Sequence, residues 1–272
     1  MNTQIFNSLL DQSRLLTVLH DNLSEDIKRD QLYQKIIHYT EKYILFNKID
    51  PEKVIDIYSN FIGEYNKHCK LFISSRKYPL ENGTKTFSIT REEYDIVLLL
   101  SVLFTPHRFR IMQLLNEKNI SERSLFIGLG PGLELSITRP HIKEIHAYDL
   151  SISKFLSSEF SSVQFHEELY NGQKQNYFDS VYLIELLEHV KDPFTLMEIC
   201  FRSLKKGGKA FLTTATDIPQ FDHLYNFPKD HGNFEEQMKQ IGFSIQNKEM
   251  IPHNYLTMDL KPCNHFYTLK KI

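Results

Sequence analysis

Glu185, Glu188 and His189 fall together in ELLEHVKDP, Glu185–Pro193. If that turn is helical, two carboxylates and an imidazole share a face, where they could move a proton or ligate a divalent metal. Downstream, His223 stands in FDHLYNF among aromatic residues. An imidazole titrates near neutrality, so His223 could take a proton from a reacting amine or hydroxyl, or simply be a hydrogen-bonded loop residue. Upstream, LFIGLGPGLE (Leu125–Glu134) alternates Gly128, Gly130 and Gly132. Glycines at such a place allow a sharp strand-to-helix turn and let a ligand lie against the main chain. Asp149 follows in IHAYDLS. A carboxylate at a strand end can accept hydrogen bonds from both hydroxyls of a ribose, and it can equally cap a following helix.

These residues need strands to carry them, and the second half of the sequence supplies the pattern. Apolar runs at 124–128, 144–148, 162–165, 180–184 and 209–213 read as strands, with helical stretches at 151–160 and 193–204 between them. Strands separated by helices imply βαβ units and a parallel sheet. Tyr255, Phe266 and Tyr267 fit two final antiparallel strands, with the latter two rings in the core. Before residue 120 the periodicity is helical throughout. Asp50-Pro51-Glu52 is a helix start, Thr90 with Glu93 forms a capping box, and Pro79–Thr84 (PLENGT) is a loop.

The 272 residues carry 32 basic and 34 acidic side chains, a net charge of −2, which gives no electrostatic reason to seek nucleic acid. Ile96–Phe104 is the longest apolar stretch and is too short to span a bilayer. The N-terminus lacks the apolar run of a signal peptide. Cys69, Cys200 and Cys263 are odd in number and form no CxxC pair, so a reduced, cytoplasmic protein is expected.

In order and spacing, the glycine turn, Asp149, the segment NYFDSVYLIELLEHVKDP and SLKKGGKAFLTT resemble the class I S-adenosylmethionine (SAM)-dependent methyltransferases, small-molecule branch. The likeness covers about Ser124 to Thr214. It implies a Rossmann-like seven-stranded, mostly parallel α/β sheet over residues 119–272, with residues 1–118 as a helical domain that covers the SAM pocket and shapes the acceptor site. It also implies SAM bound by Gly128, Gly130, Gly132 and Asp149, and methyl transfer to an O or N nucleophile of a small molecule. The family carries an acid two residues before the first glycine to hold the SAM ammonium. Phe126 stands there instead, so Glu134 or, preferably, Glu185 is expected to replace it.

His223 and His189 are the expected bases, beside Glu185 and with no metal. The metal-dependent methyltransferases of small-RNA 3′ ends share the E-x-x-E-H turn and a later histidine, here His223 or His231, and form one alternative. Transfer of the aminocarboxypropyl group, cyclisation of SAM and a non-catalytic SAM-binding protein are the others. The oligomeric state and the acceptor are left open by the sequence.

Overall fold

The structure, a computed structural model, describes residues 4–79, 88–117, 122–138, 142–228, 231–253 and 260–272. The junction expected at 118/119, most of the loop expected at 79–84, and Tyr255 lie outside them. Seven helices come first: α1 Gln4–Gln12, α2 Arg14–Asp21, α3 Glu25–Arg29, α4 Gln31–Phe46, α5 Pro51–Ser75, α6 Arg91–Phe104 and α7 Pro106–Asn116. Their starts are written in polar side chains. Asp50 Oδ1 accepts from the Glu52 N–H at the head of α5, and Thr90 and Glu93 make the reciprocal capping box of α6.

The alternating half follows: β1 Arg123–Ile127, α8 Leu133–Thr138, β2 Glu144–Asp149, α9 Lys154–Glu159, β3 Gln164–Glu167, β4 Phe178–Leu183, α10 Pro193–Ser203, β5 Leu204–Thr216, α11 Gly232–Ile241, β6 Phe243–Pro252 and β7 Cys263–Lys271. The seven strands form one sheet in the order β3-β2-β1-β4-β5-β7-β6. Strands β1 to β5 pair in parallel, and β7 runs antiparallel to both β5 and β6. The chain winds outward from β1 to β3, then returns to pair β4 with β1. The crevice at the carboxyl ends of β1 and β4 is therefore the switch point at which such sheets bind ligands.

The helical half and one face of the sheet share a single apolar cluster, which runs from Phe6, Tyr33 and Leu100 to Phe126, Tyr182 and Phe266. Tyr39 of α4 reaches across to donate to the Pro131 carbonyl in the glycine turn at 2.7 Å. A second cluster, with Leu125, Val181, Met197 and Tyr267, fills the opposite face beneath α10 and α11.

Candidate active site

At the end of β1 the chain turns through Gly128, Gly130 and Gly132, whose φ angles are +73°, +51° and +78°. Gly132 has no room for a side chain: a Cβ there would lie 2.3 Å from a Leu156 methyl carbon and 3.2 Å from the Tyr39 hydroxyl. Gly132→Ala is accordingly expected to destabilise by about 1–3 kcal/mol from overpacking, with left-handed backbone strain in addition. Gly63 in α5 has nothing within 4 Å of its Cβ position. Gly63→Ala is expected to stabilise by about 0.5–1 kcal/mol, and thermal melts of the two variants should shift in opposite directions.

Asp149 closes β2 beside this turn. Its Oδ2 accepts from Leu129 N (2.8 Å) and Gly130 N (3.2 Å), and its Oδ1 from Ser151 N (3.2 Å) and Arg91 NH1 (2.9 Å). Arg91 also donates to the Gly130 carbonyl and to Asp95 in its own helix. The carboxylate thus holds the turn together and fastens it to the start of α6. Phe126 is core: its ring stacks on Tyr182 with centroids 4.3 Å apart.

Glu185, two residues beyond the end of β4, adopts φ +50°, so the chain leaves the strand without continuing into a helix. A 3-10 turn forms only over Leu187–His189. The shared face imagined for Glu185, Glu188 and His189 therefore does not exist. Glu185 faces Arg108 of α7, with which it forms a buried ion pair, and accepts from Asn264 Nδ2 at 2.8 Å. Burial alone would raise its pKa, but the Arg108 guanidinium together with Thr213 and His253 outweighs this and lowers it. Glu134, in the first turn of α8, is pushed up to about 7 by burial.

Glu188, His189 and His223 do come together, with one ligating atom of each within 4.8 Å of the others. Such a set could hold a cation or handle a proton. Glu188 is 1 % exposed, and its Oε2 has no hydrogen-bond partner among the described residues. Burial, then Glu185, raises its pKa to about 7. The two imidazoles meet edge to face at 5.0 Å. Burial lowers His223 to about 3, with His189 adding to the shift, whereas His189 is raised because Asp222 and Glu188 outweigh its burial. His231 lies elsewhere, bonded to Thr214 Oγ1 and packed on His265.

Gly128, Gly130, Glu134, Asp149, Glu185, Glu188, His189 and His223 border one cavity of about 630 Å³, whereas Phe126, Gly132 and His231 do not line it. The glycine turn, Asp149 and Glu134 form one wall. Tyr58, Phe61, Tyr65, Leu98 and Ile218 form its apolar wing, and Glu188, His189 and His223 line it as well. Arg91, Tyr94 and Arg108 are lining residues that the sequence pattern did not single out. His107 and His253 stack at 3.5 Å on the same wall. Burial lowers His253 to about 4, so its contribution to stability is full above an unfolded pKa near 6.5 and is lost as pH falls toward 4. The stability advantage of the wild type over His253→Asn is expected to shrink by about 2 kcal/mol between pH 7 and pH 5 in urea unfolding.

The sheet order, with its one reversed strand and the glycine turn at the switch point, is the Rossmann-like arrangement found in SAM-dependent methyltransferases. A family model described as a methyltransferase domain matches residues 107–254, more than half of the chain. The chain belongs to that family of methyltransferase domains. It is 50 % identical over 42 residues to the ubiquinone biosynthesis O-methyltransferase of Xanthomonas oryzae pv. oryzae, covering 15 % of this chain and 18 % of that one. It is 31 % identical over 89 residues to the enzyme of the same name from Sodalis glossinidius, covering 33 % of each. The chain thus spans a third or less of the length of these curated relatives. In fold it is similar to the Burkholderia thailandensis 1,6-didemethyltoxoflavin-N1-methyltransferase, solved with 1,6-didemethyltoxoflavin and S-adenosylhomocysteine. The TM-score is 0.50 at 15 % identity, covering 69 % of this chain and 93 % of that one.

Proposed function

We propose that the enzyme methylates an O or N nucleophile on a small molecule bound in the apolar wing of the cavity. The observation that carries this is that one chamber is lined at once by the glycine turn, by His189 and by apolar side chains of α5 and α6. Residues 1–118 then form the acceptor wall, a division of roles within a shared core.

The residues suit SAM. A Cβ at Gly130 would point at Leu98 from 3.0 Å, so the turn leaves an open main-chain cradle only as glycine. Beside it, Glu134 and Glu185 suit an ammonium group. Arg108, whose buried Nε–H has no partner among the described residues, suits a carboxylate. Asp149 is the ribose partner. When bound, SAM supplies an electrophilic methyl group. The protein's own work is to align the nucleophile, exclude water and accept one proton at His189.

The pocket also argues against an anionic acceptor such as RNA. Of its lining arginines among the described residues, Arg91 is already paired with Asp95 and Asp149, and Arg108 is paired with Glu185 and keeps only the Nε–H that suits the SAM carboxylate. Among the described residues no helix is long and apolar enough to cross a membrane.

Incubation with SAM and a metabolite extract, followed by mass spectrometry, tests the proposal. A metabolite heavier by one methylene is expected, and release of methylthioadenosine instead would mean aminocarboxypropyl transfer or cyclisation. Chelators are expected to leave turnover unchanged. Inhibition reversed by an added divalent ion would assign Glu188, His189 and His223 to a metal.

Asp149→Ala is expected to weaken SAM binding roughly 10–100-fold, since a hydrogen bond to a charged group contributes about 1.5–3 kcal/mol. Unchanged affinity in calorimetry would remove Asp149 from the site.

A further inference from the structure

We infer that Asp222, held by Tyr94 and Gln220, is a positioning residue that fixes the tautomer of His189 and keeps its Nε2 basic toward the cavity. The loop after β5 is pinned to the turn after β4 by two backbone hydrogen bonds, from Leu224 N and Tyr225 N to the Glu188 carbonyl, at 2.7 and 3.0 Å. That pinning sets Asp222 opposite His189. Nδ1 of His189 lies 3.2 Å from the Asp222 carbonyl oxygen and 3.4 Å from Oδ2 of its carboxylate. Both are acceptors only, so Nδ1 must carry the hydrogen and Nε2 must hold the lone pair.

The carboxylate is itself fixed from two sides. Tyr94 Oη donates to Oδ2 at 2.8 Å, and Gln220 Nε2 donates to Oδ1 at 2.8 Å and reaches Tyr94 Oη at 3.2 Å. Tyr94 sits on α6, one turn from Arg91, which binds Asp149. One helix therefore holds both the ribose carboxylate and the base. Three carboxylates act on His189: Asp222, Glu188 and Glu185, and all favour its charged form. His223 is its imidazole neighbour, and Arg108 lies on the far side of Glu185. Among the described residues Asp222 is the one of these carboxylates in direct contact with the ring, and it is held below the usual carboxylate range by His189 and His223 despite its burial. Among the described residues no carboxylate hydrogen-bonds the His223 ring, and burial outweighs the pull of Asp222 and Glu185 on it, which makes His189 the better base.

The base role of His189 rests on the proposed methyl transfer, but its tautomer does not. The test is a long-range ¹H–¹⁵N correlation spectrum of the full chain, alone and with S-adenosylhomocysteine, with the His189 signals assigned by their loss in His189→Gln. The neutral ring is expected as the Nδ1–H form, titrating above 6.5. In Asp222→Asn the backbone carbonyl still accepts from Nδ1 while the carboxylate's charge is lost, so the ring is expected to keep the Nδ1–H form and to titrate lower by about one pH unit or more. A wild-type ring in the Nε2–H form would overturn the inference, whether or not the variant folds. A folded Asp222→Asn that keeps the wild-type titration would also overturn it. The inferred tautomer without methyl transfer in the extract assay would instead overturn the proposed reaction.

Discussion

His189→Ala is expected to lower turnover by about 10²–10⁴-fold, the contribution of a positioned general base, while SAM affinity stays within a few-fold of wild type. Such a split marks a residue used at the reacting centre, because uniform binding would show in affinity as well. The pH profile supplies an independent check. The imidazole must be neutral to accept a proton, and its pKa is raised by Asp222 and Glu188 against the effect of burial. The acidic limb of the rate profile should therefore stand above pH 6.5. His223→Ala serves as the comparison. Burial holds that ring neutral down to about pH 3, so its loss should not move the limb. Equal damage from both variants, with SAM affinity intact, would return the base role to the pair of histidines or to a metal they share.

Arg108→Leu is expected to cost about 3–5 kcal/mol in stability, because it leaves the Glu185 carboxylate buried without its cation. Arg108 and Glu185 are 15 % and 11 % exposed at their side chains, so solvent screens the pair little. The sign with pH follows from the lowered pKa of Glu185. A depressed acid adds stability that is full above its unfolded value near 4.5 and is lost as pH falls through its folded value. In the variant that carboxyl is free to protonate, so the gap in melting temperature between wild type and variant should be widest near pH 7 and narrow toward pH 4. The double variant Arg108→Leu/Glu185→Gln should recover much of the loss, since both charges go together. If the double variant is as unstable as the single one, Arg108 stabilises through packing and not through the pair.

The sequence by itself determined the alternating strands and helices, the glycine turn and the places of Asp149 and Glu185. These are local matters: an apolar run of strand length, a positive φ that glycine adopts freely, and an acid at a strand end. The caps at Asp50 and Thr90 were legible for the same reason, since each acts on an amide two or three residues away. Tertiary structure decided which of the marked residues meet. Glu185 was grouped with Glu188 and His189 on the premise of a helical turn, but a left-handed backbone at Glu185 sends it to Arg108 and Asn264. His223 joined the cluster only because its loop is bonded to the Glu188 carbonyl across the strand ends.

Arg91, Tyr94 and Arg108 escaped the pattern because their partners lie 58, 128 and 77 residues away, beyond any periodicity. One signal was present even so. Arg91 opens α6, and His107, Arg108 and Arg110 crowd the start of α7, the end of a helix where the macrodipole disfavours cations. A cation placed against its own helix is held there by something else. For Arg91 and Arg108 that is a carboxylate on a strand end, which only the folded sheet brings within reach.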